Sequence, residues 1–417
     1  HVVLPEQILA KAPGTPAKAF NSVNRGRPVA RADLPDRAPL MQIDQVGHYS
    51  AGCAAAVYEG GAWPKEYNGT VWMSEPILDI VHHEKLVLDG AFYRGELLLE
   101  NKEWLRSADH WFCPIDISFG PDGAMYILDF YTPVVAHNDT RGPQHSKSGA
   151  SVRPDREHYF GRIYRIQHDA APTQTHPDLA KTDAAGLVAA FTHPSKVVRF
   201  NAIRVLLDRD EATQAAAVAP LSALLTSGAA VEARIQALWA LLRLGKLAPA
   251  TLATAAAAPE AALRKNAFLA AESGKLALPT AAFRAALADA DGRVRLAALR
   301  AMGSAPLTAD AGLLLLSAQS QFTDEWSKAA ATAAASSNPV PTLEGLLAGS
   351  VSSKEVVEFA RSLAAAVATA NQPEGVARVL AAASKGANVA VAKVVLREFT
   401  ERRTAAVADT QALKSLL

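Results

Sequence analysis

Cysteine is scarce and placed early: Cys53 and Cys113 are the only two in a chain of 417 residues. Two such residues, far apart, make no zinc motif, no CxxC redox pair and no CxxCH heme attachment. They are compatible with a disulfide, which would suit an exported protein, and equally with two isolated buried thiols. Long apolar runs are missing too, and nothing approaches the ~18 residues needed to span a bilayer. Charge of one sign is also lacking. A net charge of +1, with no basic tract, gives nucleic acid or an anionic membrane no general attraction. The chain opens at His1 with neither an initiator methionine nor a signal peptide, which reads as a processed or truncated product.

What is present changes character near residue 168. All eight tyrosines lie before that point and no histidine lies beyond His193. Afterwards the chain is rich in alanine, and one short pattern returns about every 31 residues. Its copies are Arg199-Phe-Asn-Ala202, Arg234-Ile-Gln-Ala237, Arg264-Lys-Asn-Ala267, Arg295-Leu-Ala-Ala298, Trp326-Ser-Lys-Ala329, Val357-Glu-Phe-Ala360 and Val389-Ala-Val-Ala392. A fixed alanine followed by an apolar helical run predicts helices in close approach, stacked as an α-solenoid of HEAT-like repeats. Pro194, Pro259, Pro279, Pro306, Pro339 and Pro373 fall between the helical runs, where a missing N–H costs nothing. Arg199, Arg234, Arg264 and Arg295 form either a ligand-binding stripe or a set of bonds to neighbouring turns. Trp239 and Trp326 are read as core. The predicted boundaries are a β part over 1–168, a linker over 169–182 and the solenoid over 183–417.

The β part shows short strands divided by turn signals: Ala54–Tyr58, Gly69–Met73, Ile77–Val81, Lys85–Leu88 and Arg162–Ile166. Its clearest unit is Pro114–Phe119, then Gly120-Pro-Asp-Gly123, then Ala124–Leu128, a hairpin with alternating apolar positions and a tight turn. Many short strands at even spacing suggest a sandwich or a propeller.

Residues 116–131, Asp-Ile-Ser-Phe-Gly-Pro-Asp-Gly-Ala-Met-Tyr-Ile-Leu-Asp-Phe-Tyr, resemble the blade hairpin of β-propellers in the sugar and sorbosone dehydrogenase group, relatives of soluble quinoprotein glucose dehydrogenase. Gly47-His-Tyr-Ser-Ala-Gly-Cys53, Tyr67-Asn-Gly-Thr70, Asp109-His-Trp-Phe112 and Gly161–Ile166 add to the match. Propeller followed by HEAT-like array is similar to large exported "membrane-bound dehydrogenase" proteins of planctomycete and verrucomicrobial type. The resemblance implies a multidomain β plus α chain: a partial β-propeller, then the solenoid. At about 40–45 residues per blade, three or four blades are present and the amino-terminal ones are missing. It implies an exported, periplasmic or cell-envelope location. It also implies oxidation of a sugar or another alcohol or aldehyde, with electrons passed to pyrroloquinoline quinone. Two departures stand out: this chain carries no CxxCH heme-attachment motif after the repeats, and Cys113 occupies a position where such proteins often carry arginine.

The connection from Asp129 to Tyr159 is the longest without strand character, and such loops are more often functional than decorative. A histidine would accept the hydroxyl proton while arginines hold a quinone's carboxylates by paired hydrogen bonds. That chemistry nominates His48 or His137 as base and Arg141, Arg153 and Arg156 as anion clamps, with Asp129 as ligand of a cation such as Ca2+. The bland alternative is a set of ion pairs and turn caps that pin the loop. His82 and His83 cannot share one strand face, which disfavours a metal site there. Trp63, Trp72, Trp104 and Trp111 either stack on sugar rings or pack the blades. The competing function is a non-catalytic scaffold that offers propeller and solenoid surfaces to a protein partner.

Overall fold

The computed structural model describes residues 51–131 and 160–402, apart from 77–78, 100–101, 108, 110, 305–306, 320–321, 323 and 371. Two compact units emerge. One contains the strands and the helical segments up to Pro220; the other contains Leu221 onwards together with Gly90–Phe92.

The strands form two antiparallel sheets. The first runs β1 (Cys53–Val57), β2 (Thr70–Glu75), β3 (Ile80–Asp89) and β4 (Phe92–Leu97), with β5 (Leu105–Arg106) also pairing with β3. The second is β6 (Pro114–Phe119), β7 (Met125–Asp129) and β8 (Arg162–Ile166). Three or four blades were expected; two sheets lie among the described residues, and 1–50 fall outside them.

The β6–β7 hairpin forms where alternation placed it. Ile117 pairs with Ile127 and Phe119 with Met125, on the face that is buried. Gly123 takes a positive φ of 72° at the turn, a conformation that disfavours a side chain. Between the sheets lies one apolar core of Tyr58, Trp63, Trp72, Val81, Phe112, Ile117, Met125 and Ile127. The segments read as two strands, Ile77–Val81 and Lys85–Leu88, are in part a single ten-residue strand, β3. The polar His82-His-Glu84 stretch between those segments is buried and partnered. β4 was not anticipated: its sequence FYRGEL has no clean alternation, and Gly95 is there because the Glu84 carboxylate occupies the space a Cβ would fill.

Fourteen helices follow among the described residues: α1 (Ala184–Ala189), α2 (Lys196–Leu207), α3 (Glu211–Thr226), α4 (Val231–Arg243), α5 (Pro249–Ala256), α6 (Ala261–Gly274), α7 (Thr280–Leu287), α8 (Gly292–Ser304), α9 (Ala309–Gln319), α10 (Glu325–Ser337), α11 (Pro339–Ala348), α12 (Lys354–Ala370), α13 (Pro373–Lys385) and α14 (Val389–Glu401). From α4 onwards each even helix packs on the next even one, and α7, α9, α11 and α13 pack likewise, giving the two layers of a HEAT- or armadillo-like solenoid. The seven aligned segments sit near the starts of the even helices α2 to α14. Ala202, Ala237, Ala267, Ala298 and Ala360 are fully buried, so the recurring small residue is the close-approach position. Pro249, Pro339 and Pro373 occupy first turns, and Asp183, Asp324 and Asn388 cap helix starts by accepting a backbone N–H. No described helix is long and apolar enough to cross a membrane.

Candidate functional site

The chain leaves the second sheet after Asp129 and rejoins it at Arg162, and these two residues are partners in the β7–β8 register. Residues 130–161 are therefore a long excursion closed at its base by a continuous ladder. Asp129 is fully buried there. Its Oδ1 accepts hydrogen bonds from the Cys113 and Tyr131 backbone N–H groups, both at 2.8 Å. Its Oδ2 is buried without a hydrogen-bond partner among the described residues. Tyr131 adopts a positive φ of 44°, and its ring lies 3.4 Å beneath the Arg162 guanidinium. The Tyr131 hydroxyl donates to Asp109 Oδ2 at 3.0 Å, and Asp109 Oδ1 accepts from the Trp111 backbone N–H at 3.0 Å. Trp111 in turn contacts both Tyr131 and Phe160, so the two ends of the excursion meet on one indole.

His48, His137, Arg141, Arg153 and Arg156 lie outside the described residues, so of the nominated set only Asp129 has a described position. A buried carboxylate with one oxygen to spare suits a cation ligand. It is a single ligand, however, and no group of three or more His, Cys, Asp or Glu among the described residues is arranged to hold a metal ion.

A second titratable cluster lies on β3. His82 Nδ1 is 2.7 Å from Glu103 Oε2 and its Nε2 is 3.0 Å from Glu84 Oε1, with all three side chains buried. Burial opposes a charge on this ring, but hydrogen bonds to Glu103 and Glu84 overcome it and raise its pKa to about 9. His83 points to the opposite face, as strand geometry requires. Its ring stacks on Trp72 at 4.0 Å and its Nε2 meets Thr70 Oγ1 at 2.9 Å. Burial, aided by the positive His82, lowers its pKa to about 4. Adjacent imidazoles are thus held in opposite protonation states at neutral pH. Glu84 was legible as a partner of His82, two residues on and so on the same face; Glu103 comes from a segment whose pairing carries no local signal.

The remaining nominations resolve into packing. Trp63 and Trp72 are buried in the β core, with Trp104 stacked beside Trp63. Cys53 and Cys113 are both free thiols. Burial, and then the nearby Glu75 and Asp116 carboxylates, push the Cys53 thiol pKa up, which makes it a poor nucleophile. The recurring arginines bond to turns: Arg199 to the His193 and Pro194 carbonyls, Arg264 to Ala258 and Pro259, Arg295 to Asp289 and Ala290, and Arg234 to Leu225. Arg199, Arg234 and Arg264 also pair with Glu59, Glu260 and Asp289. They tie the fold together. In the helical unit, Trp239 donates to Asn266 Oδ1 at 2.9 Å and Trp326 lies 4.3 Å from the Phe92 ring.

Residues 1–170 match a family model described as a domain of unknown function, DUF7133. No curated protein matches the chain in sequence. Among solved structures, the CpcE–CpcF complex of phycocyanin lyase from Nostoc sp. PCC7120 is similar at 18% identity, over 60% of this chain and 100% of that one, with a TM-score of 0.29. An engineered protein is similar at 17% identity, over 53% of this chain and 97% of that one, with a TM-score of 0.27. A designed armadillo repeat protein is similar at 18% identity, over 52% and 99%, with a TM-score of 0.24. Superpositions this loose carry no argument about function, and the solenoid assignment rests on the helix packing described above.

Proposed function

We propose that the β unit is an oxidoreductase module of the quinoprotein sugar or alcohol dehydrogenase type, with its site above the base of the 130–161 excursion. The observation that carries the reading is Asp129: a fully buried carboxylate, held by two backbone N–H groups, keeps one oxygen without a partner among the described residues, where the excursion begins. Such an oxygen suits Ca2+. Arg141, Arg153 and Arg156 would hold the carboxylates of pyrroloquinoline quinone, and His48 or His137 would accept the substrate's hydroxyl proton. The quinone would supply the two-electron acceptor chemistry. An exported, cell-envelope setting goes with this reading. In it the solenoid is a docking arm for a protein partner.

The test is a titration of the folded protein, in its longest natural form, with pyrroloquinoline quinone and Ca2+, followed by absorbance and by dye reduction with a panel of sugars. Stoichiometric binding is expected, weakened at least tenfold by Arg141→Ala or Arg153→Ala, a loss that matches removal of one charged hydrogen-bonding partner. Absence of binding by well-folded protein would sink the reading. The scaffold alternative would then lead. It is favoured by the recurring arginines, which serve the stacking of repeats.

A further inference from the structure

We propose that the turn Tyr58–Trp63 is a latch that makes the first helical pair, α1 and α2, part of the β unit. The turn is itself fixed: the buried Tyr58 hydroxyl accepts from the Ala62 and Trp63 N–H groups at 3.1 and 2.7 Å and donates to the Gly123 carbonyl at 3.1 Å. Three features then seat it on α2. The Glu59 carbonyl accepts from the Lys196 N–H at 2.8 Å, capping the first residue of a helix whose Ser195 N-cap makes no side-chain cap bond. The Glu59 carboxylate meets Arg199 at 3.1 Å and Lys196 at 3.5 Å. Gly61, at a φ of 71°, lies so close to Pro194 that a Cβ there would come within 2.5 Å of the proline Cβ.

Glu59 also fills a recurring role. The arginine at this place in later repeats takes its carboxylate from the following helical turn: Arg234 from Glu260, Arg264 from Asp289. Arg199 takes it from a β turn instead. A turn of the sheet therefore supplies to Arg199 the carboxylate that the following repeat supplies to Arg234 and Arg264. The latch is independent of any redox chemistry in the 130–161 excursion.

Hydrogen exchange on the full chain tests this. In Gly61→Val, the amides of α2 should exchange about tenfold faster while those of α6 and α8 keep their protection, because only the latched element is released. Unchanged exchange in α2, or an equal loss throughout 231–402, would overturn the proposal. Should Gly61→Val fail to fold, Glu59→Ala, which keeps the capping carbonyl, decides. A loss of about threefold confined to α2 supports the latch; no loss there overturns it.

Discussion

The front and back of the helical unit solve one problem with different chemistry. The carbonyls left over where helices end must find donors. Over α4 to α8 the donor is arginine: Arg264 bonds to the Ala258 and Pro259 carbonyls and reaches across to the Asp289 carboxylate with two contacts, at 2.7 and 3.0 Å. Towards the end of the chain the donor is buried asparagine. Asn338 gives its amide to the Met302 and Ala334 carbonyls and accepts from the Leu307 N–H. Asn388 does the same for Leu346, Val351 and Val391. The arginine stem lets one residue serve its own turn and a carboxylate of the next repeat. The asparagine is short, so it works only from inside the junction, and it carries no charge. For these leftover carbonyls the front uses charged arginines and the back uses neutral amides.

The largest expected effect follows from the carboxylate that arginine serves. Arg264→Ala leaves Asp289, whose side chain is 8% exposed, without its forked partner and strands two carbonyls. Breaking such a pair from one side should cost about 3 kcal/mol. Urea unfolding of the full chain measures it. Arg264→Lys should recover only part of the loss, because an ammonium cannot reproduce the two-pronged contact. A loss under about 1 kcal/mol, the range of an exposed pair, would erase the distinction drawn for the front of the array.

At the back, Asn338→Ala removes three hydrogen bonds from a buried junction. The stranded carbonyls and N–H should cost about 2 kcal/mol. Because the amide is neutral, the loss should be the same at low salt and at 1 M NaCl, whereas the effect of Arg264→Ala should shrink. Equal salt dependence for the two variants would mean that charge does not separate the two halves.

How far this division was legible depends on the reach of each signal. The Gly120-Pro-Asp-Gly123 turn with its flanking alternation, the fixed alanines, and Pro339 and Pro373 at helix starts are local signals, and these form as the residues suggest. The recurring Arg199, Arg234, Arg264 and Arg295 were visible, and their use for turns was one of two open readings. Asn338 and Asn388 were not visible as their counterparts, since an asparagine near a helix start reads as a cap, and only the packing shows it inside a junction. β4 and Glu103 were missed for a similar reason: their partners, β3 and His82, are made by tertiary contact and by no local pattern. At the candidate site, Asp129 was named for a cation, but the clamp of Tyr131, Arg162 and Trp111 joins three separate segments that no spacing links.

Arginine is not absent from the back, and that permits the finest comparison. Arg378 contacts Glu344 through Nε and one terminal nitrogen, at 2.9 and 2.7 Å, nearly the geometry of Arg264 with Asp289. The surroundings differ: the Arg378 side chain is 50% exposed, against 22% for Arg264. Among the described residues Arg378 donates to Glu344 and to no turn carbonyl. Water can replace what Glu344 loses, so Arg378→Ala should cost only about 0.5 kcal/mol. If it costs as much as Arg264→Ala, the forked contact itself sets the stability, and the front differs from the back only in how many forks it has. A small loss assigns the larger cost at Arg264 to burial and to the two carbonyls, which makes arginine in the front a turn-holding residue first and an ion-pair partner second.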